Sequence, residues 1–230
     1  MKQVFIGIFA HPDDESFGPS GTLVLKTAEG ADVHLICATG GESGMNPDNH
    51  DDLGEARIKE WLAAGTLLGA KSQHHLGYRD GTLSNNQFRE IAAKVEMIIT
   101  TILAEYPAET EVTIVTMDQN GISGHIDHIT ISFVASFVFV NMRDAESRLK
   151  NVWYFCVSDK ILPAANTGFV FMSKGKTDAQ IDIRNDITSV FEQKKQIMRA
   201  HVSQRGDAEM LIARAEQAGV LEECFYTFKD

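Results

Sequence analysis

The 230-residue chain is 43% hydrophobic and 23% charged, the balance of a packed globular protein, which excludes disorder and fibrous repeats. Its formal net charge of −11 argues against a surface built to collect nucleic-acid phosphate. This length suits one domain, expected over 1–230. Strands are expected at 4–10, 32–38, 72–77, 111–117 and 151–158, the first of them short, β-branched and aromatic, and continuously apolar. Between them run helical patterns. The first opens at Gly18-Pro19, with proline suited to a first helical position, and closes at Gly30; others cover about 53–68, 87–105, 127–140 and 187–201. This alternation implies βαβ units, hence an α/β fold with a mainly parallel sheet. The apolar stretch 129–140 is too short to span a bilayer and suits either a core helix or a subunit interface in a homo-oligomer.

Cys37, Cys156 and Cys224 are odd in number and lack a Cys-x-x-Cys pair, so a disulfide framework or a cysteine zinc site is not expected. The amino terminus enters a strand without a signal-peptide pattern, so a cytoplasmic protein without membrane insertion is expected.

Chemistry is concentrated in two places. His11-Pro-Asp-Asp-Glu15 follows the first strand, and His125-Ile-Asp-His128 follows the fourth across a glycine-bearing loop; ligands gather at such carboxyl ends in open α/β sheets. His11 and Asp14, three apart where a strand turns into a helix, converge on one point. A divalent cation suits that pair, with His125 or His128 supplying a third ligand and the other facing substrate. Such a cation acidifies water and polarises a carbonyl, which serves hydrolysis. Asp13, beside a ligand but aimed elsewhere, is the candidate to take a proton from water and deliver it to a leaving group. His125, protonated and held by Asp127, would stabilise an oxyanion. Glu15 has two readings, orienting a ligand or favouring a helix terminus. Each string alone also suits a solvated loop with an acidic helix start; their joint placement at strand ends argues for a site.

Ala10-His-Pro-Asp-Asp-Glu15 and His125-x-Asp-His128, with Gly18-Pro-Ser-Gly-Thr22, Thr39-Gly-Gly-Glu42, Leu76-Gly-Tyr-Arg-Asp-Gly81 and Ala200-His-Val-Ser-Gln204, resemble the PIG-L or LmbE-like family of zinc-dependent de-N-acetylases across most of the chain. The resemblance implies a Rossmann-like three-layer sandwich and removal of the acetyl group from an N-acetylglucosamine unit, including precursors of bacterial low-molecular-weight thiols. It implies that His11, Asp14 and His128 bind the metal, that Asp13 is the general base, and that His125 serves the oxyanion with Asp127 behind it. Arg57 and Asp80 would contact the sugar, although Arg57 also suits a helical pair with Glu60 or Glu55, and Asp80-Gly81 a plain turn. Zinc suits the ligand set, with Fe2+ or another divalent cation as the alternative. Ile126 and Arg79 depart from the family pattern, which favours proline at both places. His201 is expected to line the pocket or cap a helix, and His74 and His75 to be structural. Two other readings are an amidase cutting cysteinyl-glucosamine thiol conjugates and a non-catalytic module binding a sugar or nucleotide. Loops at 40–54 and 159–180 are expected to shape the substrate pocket.

Overall fold

The run Val4-Phe5-Ile6-Gly7-Ile8-Phe9 is apolar at every position because both faces of its strand are covered. Val4, Ile6 and Ile8 enter one hydrophobic cluster, while Phe5 and Phe9 enter another on the opposite face. Gly7 is required by this packing, since a Cβ there would lie 2.5 Å from the Phe9 ring. The computed structural model describes residues 1–162 and 173–229. Strands β1 (Gln3–Phe9), β2 (Asp32–Thr39), β3 (Ser72–Tyr78), β4 (Glu111–Met117), β5 (Leu149–Cys156), β6 (Ile183–Asp186) and β7 (Glu222–Thr227) form one sheet in the order β3-β2-β1-β4-β5-β7-β6. The first five are parallel; β7 pairs antiparallel with β5, and β6 antiparallel with β7.

Two helical layers complete the three-layer α/β architecture. On one face α2 (Ser20–Ala28), α3 (Leu53–Leu68) and α7 (Phe191–Arg199) bury Leu23, Val24, Trp61, Ala64, Leu68 and Ile197. On the other, α4 (Phe88–Leu103) and α6 (Ile126–Met142) bury Ile91, Val95, Ile99, Ile131, Val134 and Val138. The apolar 129–140 stretch is thus a core helix along one side, with Phe133 and Val140 turned outward. No helix among the described residues is long and apolar enough to cross a membrane.

The structure corrects the expected elements in two places. The opening motif does not merely precede a helix: Asp14 and Glu15 lie within a short helix of their own, α1 (Asp14–Phe17), before α2. The helix expected over 187–201 resolves into a 3-10 turn, Thr188–Val190, followed by α7. Strand β6, helix α8 (Arg205–Ala218) and strand β7 were not anticipated. Part of the expected pocket loop 159–180, residues 163–172, lies outside the described residues.

Topology fixes where a site belongs. From β1 the chain crosses through α2 to β2 on one side, whereas from β4 it crosses through α6 to β5 on the other. The neighbouring strands β1 and β4 therefore flank the point where strand order reverses, the expected crevice of an open α/β sheet.

Candidate metal centre and active site

Both chemical motifs leave that crevice. His11 and Asp14 follow β1 and are buried, with relative exposures of 7% and 5%. The second motif follows a loop containing α5 (Gly121–Gly124), a single turn broken at Ile122. Its φ of 60° is an unusual conformation for a β-branched residue. Such strain costs about 1–3 kcal/mol and tends to accumulate where a loop is held for function.

Ring nitrogens of His11 and His128 and the carboxylate of Asp14 approach one another between the motifs. Nδ1 of His11 lies 2.9 Å from Nε2 of His128, and that Nε2 lies 3.2 Å from Oδ1 of Asp14. His11 Nδ1 lies 3.9 Å from the other Asp14 oxygen, Oδ2. Ligands 2.0–2.1 Å from a tetrahedral zinc would stand about 3.3 Å apart, which the His11–His128 and His128–Asp14 separations approach, while Asp14 turns its other oxygen toward His11. Hydrogen bonding fits as well. His128 Nδ1 donates to the carbonyl of Gly121 at 3.0 Å, which can only accept, leaving the Nε2 lone pair directed at the cluster. His11 Nε2 faces the carboxylates of Asp80 at 3.0 Å and Asp127 at 3.3 Å, which holds its proton there and leaves Nδ1 as the other lone pair. Oδ2 of Asp14 accepts the backbone N–H groups of Ala10 and His11, and Oδ1 turns to His128.

The field demands positive charge at this point. Burial alone would lower the His11 pKa, but Asp127, Asp80 and Asp14 together raise it to about 10. Burial likewise opposes a charged Asp14, yet His128 and His11 hold its carboxyl well below the usual range. A divalent cation meets the same demand as a proton. Among the described residues, the groupings that offer one ligand atom each, all within 4.8 Å of one another, are His11, His125 and His128, and His11, Asp80 and Asp127; Asp14 enters neither, because it faces His128 and His11 with different oxygens.

Asp127 departs from its expected position. Rather than standing behind His125, its carboxylate accepts the N–H groups of Gly81 and Leu83 and faces His11. His125 Nδ1 instead accepts the Asp127 amide N–H at 3.2 Å, which assigns the ring proton to Nε2 and makes neutral His125 a hydrogen-bond donor. Burial, then repulsion from His11 and His128, lowers its pKa. Ile126 takes the first position of α6, where proline's fixed φ would fit, and its exposed side chain removes no functional group.

Arg57, on α3, pairs with neither Glu55 nor Glu60. Its guanidinium donates to Asp13 Oδ2 at 2.7 Å and to the carbonyls of Pro12 and Gly41. Gly41 permits this approach, with a φ of +66° and no Cβ, which would otherwise stand 2.5 Å from the guanidinium. Asp13 itself has a φ of 134°, a conformation stabilised by Ser16 and Phe17 N–H groups donating to its carbonyl. Burial pushes the Asp13 carboxyl up to about 6 against the opposing pull of Arg57. Asp80 accepts from the Ser43 N–H, and its own N–H donates to Glu42, joining the 40–54 loop to the cluster.

One buried group escaped sequence reasoning. Glu15 and His201 are both 0% exposed and share Ser16, whose hydroxyl donates to Glu15 Oε1 at 2.6 Å and accepts from His201 Nε2 at 2.8 Å. Glu15 is therefore a core residue of the motif's underside, and the segment Ala200-His-Val-Ser-Gln204 was the signal for it.

If Asp13 must be ionised to act, Arg57→Ala removes the cation that favours ionisation. The acid limb of kcat/KM is then expected to move to higher pH, with activity recovering as pH rises. A uniform loss at all pH values would assign Arg57 a structural role alone.

Comparison with known proteins fits this geometry. Residues 6–139 match the PIG-L family model, described as GlcNAc-PI de-N-acetylase. An enzyme of Mycolicibacterium smegmatis named 1D-myo-inositol 2-acetamido-2-deoxy-alpha-D-glucopyranoside deacetylase is 29% identical over 229 residues, covering 86% of this chain and 78% of that one. The fold is similar to N,N'-diacetylchitobiose deacetylase from Pyrococcus horikoshii, with a TM-score of 0.68 at 21% identity over 99% of this chain and 83% of that one. It is also similar to GalB, the 4-carboxy-2-hydroxymuconate hydratase of Pseudomonas putida, with a TM-score of 0.66 at 17% identity over 100% of this chain and 97% of that one. With the family model matching more than half of its length, the chain belongs to the PIG-L family of de-N-acetylases.

Proposed function

We propose that this protein is a metal-dependent hydrolase removing the acetyl group from an N-acetylglucosamine-type sugar or glycoconjugate, through one domain spanning 1–230. The observation that carries the reading is the convergence of His11 Nδ1, His128 Nε2 and Asp14 beside a strained Asp13. His11, Asp14 and His128 would hold a divalent cation, with zinc suiting the imidazole–carboxylate set and Fe2+ the alternative. Bound there, the cation lowers the pKa of water and polarises the amide carbonyl.

The protein's own groups do the remaining work. Asp13, ionised and held by Arg57, takes the proton of the attacking water and returns it to the departing amine, so acetate and a free amino sugar result. His125 Nε2–H donates to the carbonyl oxygen as it gains negative charge. Asp127 holds the His11 ring from its outer nitrogen and thus supports catalysis by positioning. Asp80 does the same, and its loop, with Arg57, borders the place of the sugar. Free, buried Cys37, Cys156 and Cys224 suit a reducing cytoplasm. Incubation with N-acetylglucosamine glycosides tests the reading: acetate and free amine should appear in equal amounts. Release of amine only from a cysteinyl-glucosamine conjugate would favour the thiol-conjugate amidase instead.

A further inference from the structure

A cavity of about 550 Å³ lies beside the crevice and contains none of the metal-centre residues. Its walls include Phe17, Ile122, Phe155, Leu211, Ile212 and Ala215. Two of these belong to the catalytic segments: Phe17 ends the helix that begins with Asp14, and Ile122 is the strained residue in the turn leading to His125. Helix α8 closes the far side. The cavity therefore shares its near wall with the backbone that positions the metal ligands.

The polar groups in its lining make few demands on a ligand. Lys194 and Glu223 are both buried, and pair with each other at 2.7 Å. Lys194 also donates to the Gly18 carbonyl, while Glu223 accepts the N–H groups of Gly21 and Thr22. Ser158 accepts the Lys160 N–H. Burial raises the thiol pKa values of Cys156 and Cys224 to about 12 and about 11, so both remain protonated, inert walls. Glu222 pairs with Arg184, so beside Arg214 and Gln217 on α8 an occupant meets mainly apolar surface, in a volume typical of small-molecule sites.

We propose that this cavity is the subsite for an apolar aglycone, an alkyl chain or aromatic ring carried by the acetamido sugar. The proposal rests on the deacetylase reading above for the identity of the sugar. It explains why a strained β-branched residue stands at Ile122: the side chain forms a hydrophobic partition between the reacting end of the substrate and its tail.

The test uses methyl, propyl and hexyl 2-acetamido-2-deoxyglucopyranosides, with binding measured by calorimetry and acetate release measured in parallel. Affinity and kcat/KM should rise about two- to fourfold per added methylene. Ala215→Trp, which fills the cavity from α8, should flatten both series while leaving the methyl glycoside unchanged; Ala218→Trp, on the same lining, provides a second variant. A flat series with the unmodified protein, or an equal rise in a folded Ala215→Trp variant, would overturn the proposal. Calorimetry separates the two claims: a rising affinity series without acetate release supports the cavity while refuting the deacetylase reading.

Discussion

Replacing Asp13 by Asn is expected to lower kcat by about 10²- to 10⁴-fold, the usual contribution of a positioned acid–base group, while leaving the metal content of the protein unchanged. The amide matches the carboxylate in shape and can still accept from Arg57, but it cannot take a proton from water. Backbone strain does not confound the result. Asp and Asn have the same branching at Cβ and Cγ, so the φ of 134° at this position is retained at little added cost. The proposed metal ligands are other side chains, and Asp13 belongs to none of the close ligand groupings. The check is kcat measured per bound metal ion, with unfolding followed alongside. Full activity at normal metal content would remove Asp13 from the mechanism.

His128→Ala is expected to abolish turnover by a different route, through loss of the metal. Disturbing an outer partner of a ligand costs about 10- to 100-fold in metal affinity, so deleting a ligand should cost at least about 100-fold. The substitution removes Nε2 from the cluster and also releases the Gly121 carbonyl from its ring N–H. His11 and Asp14 then remain, too few to close a site with three protein ligands. Metal analysis after dialysis against a weak chelator reads the effect directly. A variant that retains one metal per chain and normal turnover would show that His125, already grouped with His11 and His128, serves as the ligand instead.

The placement of both motifs at the ends of neighbouring strands was legible in the sequence because local order sets it. His11-Pro-Asp-Asp-Glu15 ends a strand whose continuous apolar run announces burial on both faces, and α3 was recovered over Leu53–Leu68 because Asp52 caps its start and Gly69, at a φ of 89°, ends it. What was not legible depends on partners far along the chain. Asp127 turns to His11 because Gly81 and Leu83 supply it with two backbone donors, an arrangement that no spacing within His125-Ile-Asp-His128 encodes. Glu15 leaves two readings open in the sequence, a ligand-orienting acid or a helix-start acid, until His201, 185 positions beyond Ser16, comes to share the Ser16 hydroxyl with it. The same reason hides β7. Glu222-Glu223 looks like solvent-facing loop, but Glu223 is 3% exposed because Lys194 and two N–H groups of α2 neutralise and satisfy it. In β6, Ile183-Arg-Asn-Asp186 carries no alternation to detect.

Fold similarity alone does not choose the chemistry. The hydratase GalB matches at a TM-score of 0.66 and the chitobiose deacetylase at 0.68, values too close to separate two reaction classes. Hydrolysis is favoured by membership of the de-N-acetylase family and by a site where a cation-seeking cluster, the Asp13 carboxylate and a neutral imidazole donor meet at one strand junction. Each has a distinct task.

The most direct test is acetate release from an N-acetylglucosamine glycoside by the purified protein as isolated, after chelation, and after zinc is restored. The expected result is release that chelation abolishes and zinc brings back, with one metal ion bound per chain. Release that continues at full rate in metal-free protein, or no release from protein carrying a full complement of metal, would contradict a metal-dependent deacetylase.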